Sequence, residues 1–155
     1  MARGGSYEPL GGRLGMALGS VIDELYWRLG TAGWGPVRPL WGFVVVSLQD
    51  EPRSISEIGG LLGITKQAAA KVVDGLAESG LVRRDDDPRD HRATSVTLTP
   101  KGALFLGDAR SGYAEIEAQW AAVIGARRLA ALRADLSAVL AARYGDEPPP
   151  VRPVL

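Results

Sequence analysis

The chain has no cysteine and a single histidine, His91. The first absence excludes disulfides, thiolate zinc sites and thiol redox sensing. The second leaves little room for a hydrolase, because a catalytic triad needs its histidine held beside a nucleophile in a pocket. His91 instead stands between Asp90 and Arg92 in a polar stretch. No glycine-rich phosphate loop follows a strand pattern and no metal-ligand cluster occurs, so neither an enzyme nor a cofactor is implied. Net charge is lacking too: 18 basic and 18 acidic residues cancel. That balance argues against a diffuse polyelectrolyte binder, whose affinity comes from neutralised phosphates. Residues 1–51 carry 4 basic and 5 acidic groups, 52–101 carry 8 and 7, and 102–155 carry 6 and 6. Any contact with a polyanion must therefore be focused. The longest apolar run, Trp41 to Val46, falls far short of the ~20 residues needed to span a bilayer. No basic start precedes an apolar core near the N-terminus. A cytoplasmic protein without membrane attachment is expected.

What is present is ordinary globular matter. Hydrophobic residues make up 46% and charged residues 23%, and 155 residues can bury roughly 70% of the unfolded surface in one cooperative domain. Residues 1–13 hold four glycines, and Pro148, Pro149, Pro150 and Pro153 crowd the last residues, so 1–13 and 145–155 read as flexible tails. A Pro150-x-x-Pro153 spacing of the kind proline-reading domains recognise is better explained as solvated tail.

The flanks are helical in pattern. Leu14, Leu18, Val21, Leu25 and Leu29 fall on one stripe of a first helix, and a second helix is expected from about Val37 to Gln49. Leu106, Tyr113, Ile116, Trp120 and Val123 recur at heptad-like spacing, Gly125 interrupts, and Leu129, Leu132, Leu136 and Val139 resume.

The centre is the most informative stretch. Ser54 with Glu57 three residues on forms a capping box. A short helix should run to about Leu62, Gly63 should end it, and Thr65 should cap a second helix reaching about Ser79 before Gly80. Leu81–Arg84 and Thr94–Thr99 read as strands around the polar loop Asp85–Ala93, and Thr99-Pro100 opens another helix. This order is the layout of a winged helix-turn-helix, which braces one helix on the core and presents the next to a DNA groove. On the presented helix, Ala69, Val72, Val73 and Leu76 share one face, with Gln67, Lys71, Asp74 and Glu78 opposite. Lys66, Gln67 and Lys71 lie in the N-terminal half and the acids in the C-terminal half, as suits entry into a major groove by the N-terminal half. Gln67 can pair bidentately with adenine and lysine with guanine, while Ala70 leaves room for a thymine methyl. Thr65 stands at the helix start beside them. Asp85, Asp86 and Asp87 read as partners for Arg83, Arg84 or Arg89, or as solvated turn residues. A calcium loop is excluded, since its glycine and distal glutamate are missing.

LVRRDDDPRDHRATSVTLTPKG resembles the wing of the MarR family of dimeric transcription regulators, and ITKQAAAKVVDGLAESG resembles that family's recognition helix. These blocks cover about a quarter of the chain; the flanks match in pattern only. The resemblance implies a mostly α fold, an α+β winged helix-turn-helix with long terminal helices forming a dimerisation region. On that reading a dimerisation helix spans 14–36, the DNA-binding domain 37–102 and the C-terminal dimerisation helices 103–144. The implied function is that of a sequence-specific regulator of transcription on double-stranded DNA, a ligand-responsive repressor acting as a homodimer on a pseudo-palindromic operator. The alternative is a winged-helix protein-interaction module without specific DNA binding. The family places a wing-tip arginine in the minor groove, held by an aspartate two residues earlier. Asp90-His91-Arg92 matches this, and Arg84 and Arg89 are further candidate DNA contacts. The peroxide-sensing branch of the family is excluded, for want of cysteine.

Members of the family also commonly bind small aromatic or phenolic effectors between the dimer helices and the DNA module. Tyr26, Trp27, Trp34 and Trp41 concentrate in that part of the chain, with Phe43. Trp41 and Phe43 read as core, and Trp34, in a glycine-flanked loop, as the better pocket candidate. Three departures stand out: Gly59 and Gly60 inside the first helix of the motif, each costing up to ~1 kcal/mol against alanine, and Gly75 where relatives commonly carry a larger, often basic residue.

Overall fold

A computed structural model describes residues 9–38, 40–87 and 90–146, and at 87 and 90–93 the backbone course alone. The chain runs α1 (Leu10–Leu29), a π-helical turn (Gly30–Trp34), α2 (Trp41–Ser47), β1 (Arg53–Ser54), α3 (Ile55–Leu62), α4 (Lys66–Glu78), β2 (Val82–Asp87), β3 (Asp90–Leu98), α5 (Pro100–Ile124) and α6 (Ala126–Tyr144). Small antiparallel strands in the order β1-β3-β2 sit among these helices. The expected fold class is the one observed.

The helix-turn-helix forms for the local reasons read in the sequence. The Ser54 hydroxyl accepts from the Glu57 N–H (3.2 Å) while the Glu57 carboxylate accepts from the Ser54 N–H (2.6 Å), satisfying two donors that a helix start leaves open. Gly63 closes α3 at φ 64°, a left-handed conformation that costs glycine least. The Thr65 hydroxyl then accepts from the Ala68 N–H at 3.1 Å to open α4. Gly59 proves to be a packing residue: a Cβ there would lie 3.1 Å from the Ile64 carbonyl oxygen and 3.5 Å from the Ala69 methyl. Its absence lets α3 and α4 approach closely. Gly75 likewise makes room for a neighbour, the Trp41 indole, which lies 3.4 Å from where its Cβ would be. Gly60 meets nothing, and no contact accounts for it.

Several boundaries differ from expectation. α1 begins at Leu10, not Leu14, because Pro9 supplies the first carbonyl and the Gly12 N–H bonds to it at 2.9 Å. The last part of the expected N-terminal tail, 10–13, is thus helix, and residues 1–8 and 147–155, with Pro150 and Pro153, lie outside the described residues. α2 begins at Trp41, not near Val37, because Leu40 takes a left-handed φ of 75° and interrupts helical propagation. The wing strands run further than their side chains suggest: β2 reaches Asp87, β3 starts at Asp90, and a register shift falls between Asp86 and Asp87. Most of the stretch expected as loop is therefore ladder, since backbone pairing tolerates any side chain that faces water on a two-stranded ribbon. β1 was not anticipated. Its two residues pair Arg53 with Val96 and Ser54 with Ser95, too short a strand for any periodicity to mark.

One core joins these elements. Leu25 and Leu29 of α1, Val44 and Val45 of α2, Ile58 and Leu62 of α3, and Ala69, Val73 and Leu76 of α4 are all buried. Val96 of β3 and Phe105, Leu106, Ala109 and Ile116 of α5 complete it. α1 crosses α5 at Gly112, where a Cβ would lie 2.7 Å from Leu25 Cδ1. α6 is different: none of its residues is buried.

Candidate nucleic-acid interface and adjoining cavity

α4 sorts its residues as the pattern requires. Ala69, Val73 and Leu76 are buried, while Thr65, Lys66, Gln67 and Lys71 are exposed and Ala70 is half-exposed beside them. The N-terminal half of the helix thus offers two lysines, an amide and a hydroxyl to solvent. Asp74 and Glu78 are exposed further along.

The wing is tied to this helix. Arg84 Nη2 donates to Asp74 Oδ1 at 2.5 Å and to the Ala70 carbonyl at 3.3 Å, joining β2 to α4. Arg84, expected as a DNA contact, is therefore engaged within the protein. On the other face of β2, Asp85 accepts from Arg83 Nε at 2.8 Å and from the Thr97 hydroxyl at 3.0 Å. The Arg83 hydrogen bond, then that of Thr97, holds the Asp85 carboxyl below its ordinary range. Residues two apart share a strand face, and Arg83 pairs with Thr97 across the ladder, so this triangle follows from the register. The expected pairing of wing acids with wing arginines thus holds at Asp85. Arg89 lies outside the described residues; Asp90 and Arg92 are described in backbone only, as the first and third residues of β3.

Between the helix-turn-helix and the long helices lies a cavity of about 320 Å³. α1 contributes Ile22 and Tyr26, α2 Phe43, α3 Ile58, and α5 Phe105 and Tyr113. Of the four aromatic candidates, only Tyr26 lines it. Trp41 is 5% exposed in the core, and Trp27 is 64% exposed on α1. Trp34 stands behind the wall: its ring meets Phe105 edge-on with centroids 5.3 Å apart, and its Nε1 donates to Asp108 Oδ2 at 2.7 Å. Phe43, read as core, and Tyr113, read as part of a heptad stripe, are wall residues instead. Neither could be found from periodicity, since a wall residue and a core residue occupy the same helix face. Burial raises the pKa of Tyr26 and Tyr113 above the ordinary phenol value, and the nearness of Tyr113 raises Tyr26 further. A second, shallower hollow of about 270 Å³ lies between α1, α5 and α6, lined by Val21, Ile116, Trp120 and Leu132 among others. Tyr113 lines both.

A helix-turn-helix followed by a two-stranded wing, carried between long helices, defines the class: a winged helix-turn-helix protein. Residues 38–93 match the model of the MarR family. The transcriptional repressor CouR, solved on a 23-mer DNA duplex, is 26% identical, with 84% of this chain and 92% of that one covered and a TM-score of 0.72. BldR, a transcriptional regulator from Sulfolobus solfataricus, is 27% identical over 83% and 92% with a TM-score of 0.64. Apo MarR from E. coli shares the fold, with a TM-score of 0.72 at 22% identity over 87% and 99%. No curated protein matches the sequence. The chain has the winged helix-turn-helix fold of these transcription regulators, and its residues 38–93 are similar to the MarR family. Among the described residues no helix is long and apolar enough to cross a membrane.

Proposed function

We propose that the protein is a cytoplasmic, ligand-responsive repressor that binds a pseudo-palindromic operator in double-stranded DNA as a homodimer. The observation that carries this reading is α4, whose exposed Lys66, Gln67 and Lys71 crowd its N-terminal half while its opposite face is buried. Thr65 and Ala70 complete the surface that would enter the major groove. The wing would follow the backbone, with Arg92 in the minor groove, Asp90 holding it and Arg89 alongside. A narrow minor groove concentrates negative potential and favours arginine. Dimerisation is supported by the apolar residues that α1 and α6 leave exposed, Leu10, Met16, Val139 and Leu140 among them. The cavity between the two functional regions is where an effector would act, with Tyr26 in its wall; Trp27, Trp34 and Trp41 would serve the effector only indirectly.

Selection from random duplexes is the test. It is expected to return paired half-sites about one helical turn, ~10 bp, apart. Gln67→Ala should relax base preference at one half-site position, costing roughly 1–3 kcal/mol there, whereas Lys71→Ala should weaken all sequences alike. Unpaired half-sites, or a Gln67→Ala protein with unchanged preference, would contradict the geometry.

The two wing arginines are expected to separate in a salt series. Arg92→Ala should make the salt slope shallower by about one unit, as loss of a charge near phosphate does. Arg84→Ala should lower operator affinity with the slope unchanged, because its charge is already met by Asp74 and its effect is on the seating of the wing. A slope change for Arg84→Ala equal to that of Arg92→Ala would make Arg84 a phosphate contact.

A further inference from the structure

We propose that Arg38, in the turn that leads into α2, is a phosphate-binding residue that grips the DNA strand on the side of α4 away from the wing. The proposal rests on the DNA-binding reading above and adds to it a residue outside both the recognition helix and the wing. Its starting point is an uncommitted charge. Of the arginines between 37 and 102 whose side chains are described, Arg53 is held by the Ser47 carbonyl at 2.6 Å, Arg83 by Asp85 and Arg84 by Asp74. Arg38 is exposed, and among the described residues its guanidinium has no ion-pair or hydrogen-bond partner. Yet it lies against α4. Its Nη1 is 3.8 Å from where a Cβ on Gly75 would be, beside the Trp41 indole at 3.4 Å. Two features put it there. Gly75 carries no side chain to hold it off, and the Arg38 carbonyl accepts from the Trp41 N–H at 3.2 Å, which ties the turn to a tryptophan buried in the core.

Gly75 also fixes which side of the helix this is. At ~100° per residue, the order round α4 is Ala70, Asp74, Gln67, Lys71, Gly75. Arg84 reaches Ala70 and Asp74, so the wing and Arg38 close on the exposed Gln67 and Lys71 from opposite flanks. A helix ~10–12 Å across fills a major groove ~12 Å wide and has a phosphate strand along each side. The wing would follow one strand. Arg38 faces the other, about 6 Å along the helix axis from Lys71, and so carries the line of cations toward the end of α4 that holds Asp74 and Glu78. Asp74 is already met by Arg84, and Arg38 offsets the repulsion between the exposed Glu78 and phosphate. Its planar fork suits the two free oxygens of a phosphate and reads no base.

The test compares the full-length parent with Arg38→Ala, Arg38→Gln and Arg38→Lys on two probes, the tightest duplex recovered from the random selection and a shuffled duplex of the same length. Arg38→Ala and Arg38→Gln are each expected to weaken both duplexes by the same factor, about tenfold, and to make the salt slope shallower by about one unit per protomer. Arg38→Lys should keep the slope and recover part of the affinity, since it retains the charge without the fork. Melting midpoints should stay within ~2 °C of the parent, because an exposed side chain contributes little to folding. Duplexes in which one phosphate at a time is replaced by an uncharged methylphosphonate locate the contact. One such replacement in each half-site should weaken the parent and leave Arg38→Ala unaffected. Unchanged affinity and slope in Arg38→Ala and Arg38→Gln, a loss confined to the selected duplex, or an Arg38→Ala protein that keeps every methylphosphonate effect of the parent would overturn the proposal and leave the DNA-binding reading standing. A parent that binds neither duplex would overturn both.

Discussion

A chain ended after Gly125 is expected to stay folded, to sediment as a monomer and to bind operator at least about a hundredfold more weakly than the full chain. α6 contributes no buried residue. Its polar tie to α5 is the ion pair of Arg133 with Glu117 at 2.5 Å, both well exposed, and such pairs contribute little to stability. Removing α6 therefore leaves the core of α1 to α5 intact. What it removes is an apolar surface, with Val139 66% and Leu140 47% exposed, for which nothing among the described residues of a single chain provides cover. In the proposed dimer that surface joins the hollow lined by Val21, Ile116 and Trp120. Two linked recognition helices gain roughly 10²–10⁴ over one through effective concentration, and the shortened chain forfeits this. Sedimentation and gel shift of the same preparation check it. A shortened chain that remains dimeric, or a full-length chain that is monomeric and binds operator normally, would remove α6 from the assembly.

The second large effect concerns stability. Gly102→Ala is expected to destabilise the fold by about 3 kcal/mol, the upper part of the range for overpacked sites, and to lower the melting midpoint by around 10 °C. A Cβ at Gly102 would lie 2.0 Å from the Leu81 carbonyl oxygen and 3.2 Å from Leu98 Cδ2. The obstacle is backbone, and it is fixed from both sides. The Leu81 carbonyl accepts from the Thr99 N–H at 3.1 Å. The Thr99 hydroxyl accepts from the Gly102 N–H at 3.0 Å and donates to the Gly80 carbonyl at 2.6 Å. The start of α5 cannot shift without breaking the cap that joins it to the end of α4. Gly107→Ala, on the same helix with nothing within 4 Å, is the control. It should be neutral or stabilise by up to ~1 kcal/mol. Thermal melts of the two variants decide the matter, and a Gly102→Ala protein within 1 kcal/mol of the parent would show that the junction is not tight.

Legibility in the sequence followed the range of the interaction. The capping box at Ser54 and Glu57, the turn at Gly63 and the cap at Thr65 were readable because each is closed within four residues. So was the amphipathic sorting of α4, since burial follows helical period. The extent of the wing was not legible, because backbone pairing decides it and side-chain polarity does not. Nor was the start of α2, because the left-handed Leu40 has no marker in its own identity. Gly59 and Gly75 looked like defects in one dimension and became contacts in three, against Ile64 and Trp41.

By itself the sequence determined that this chain forms a helix-turn-helix with a wing and long helical flanks, and which residues of α4 face water. Those are consequences of caps, turns and periodicity, which act between near neighbours. The tertiary structure alone decided that Arg84 pairs with Asp74 and that Tyr26, Phe43 and Tyr113, not the tryptophans, wall the cavity. It also decided that Gly102 sits against Leu81. Each of these depends on where elements distant in the chain come to rest, and a side chain's partner across that distance is set by packing rather than by its neighbours in sequence.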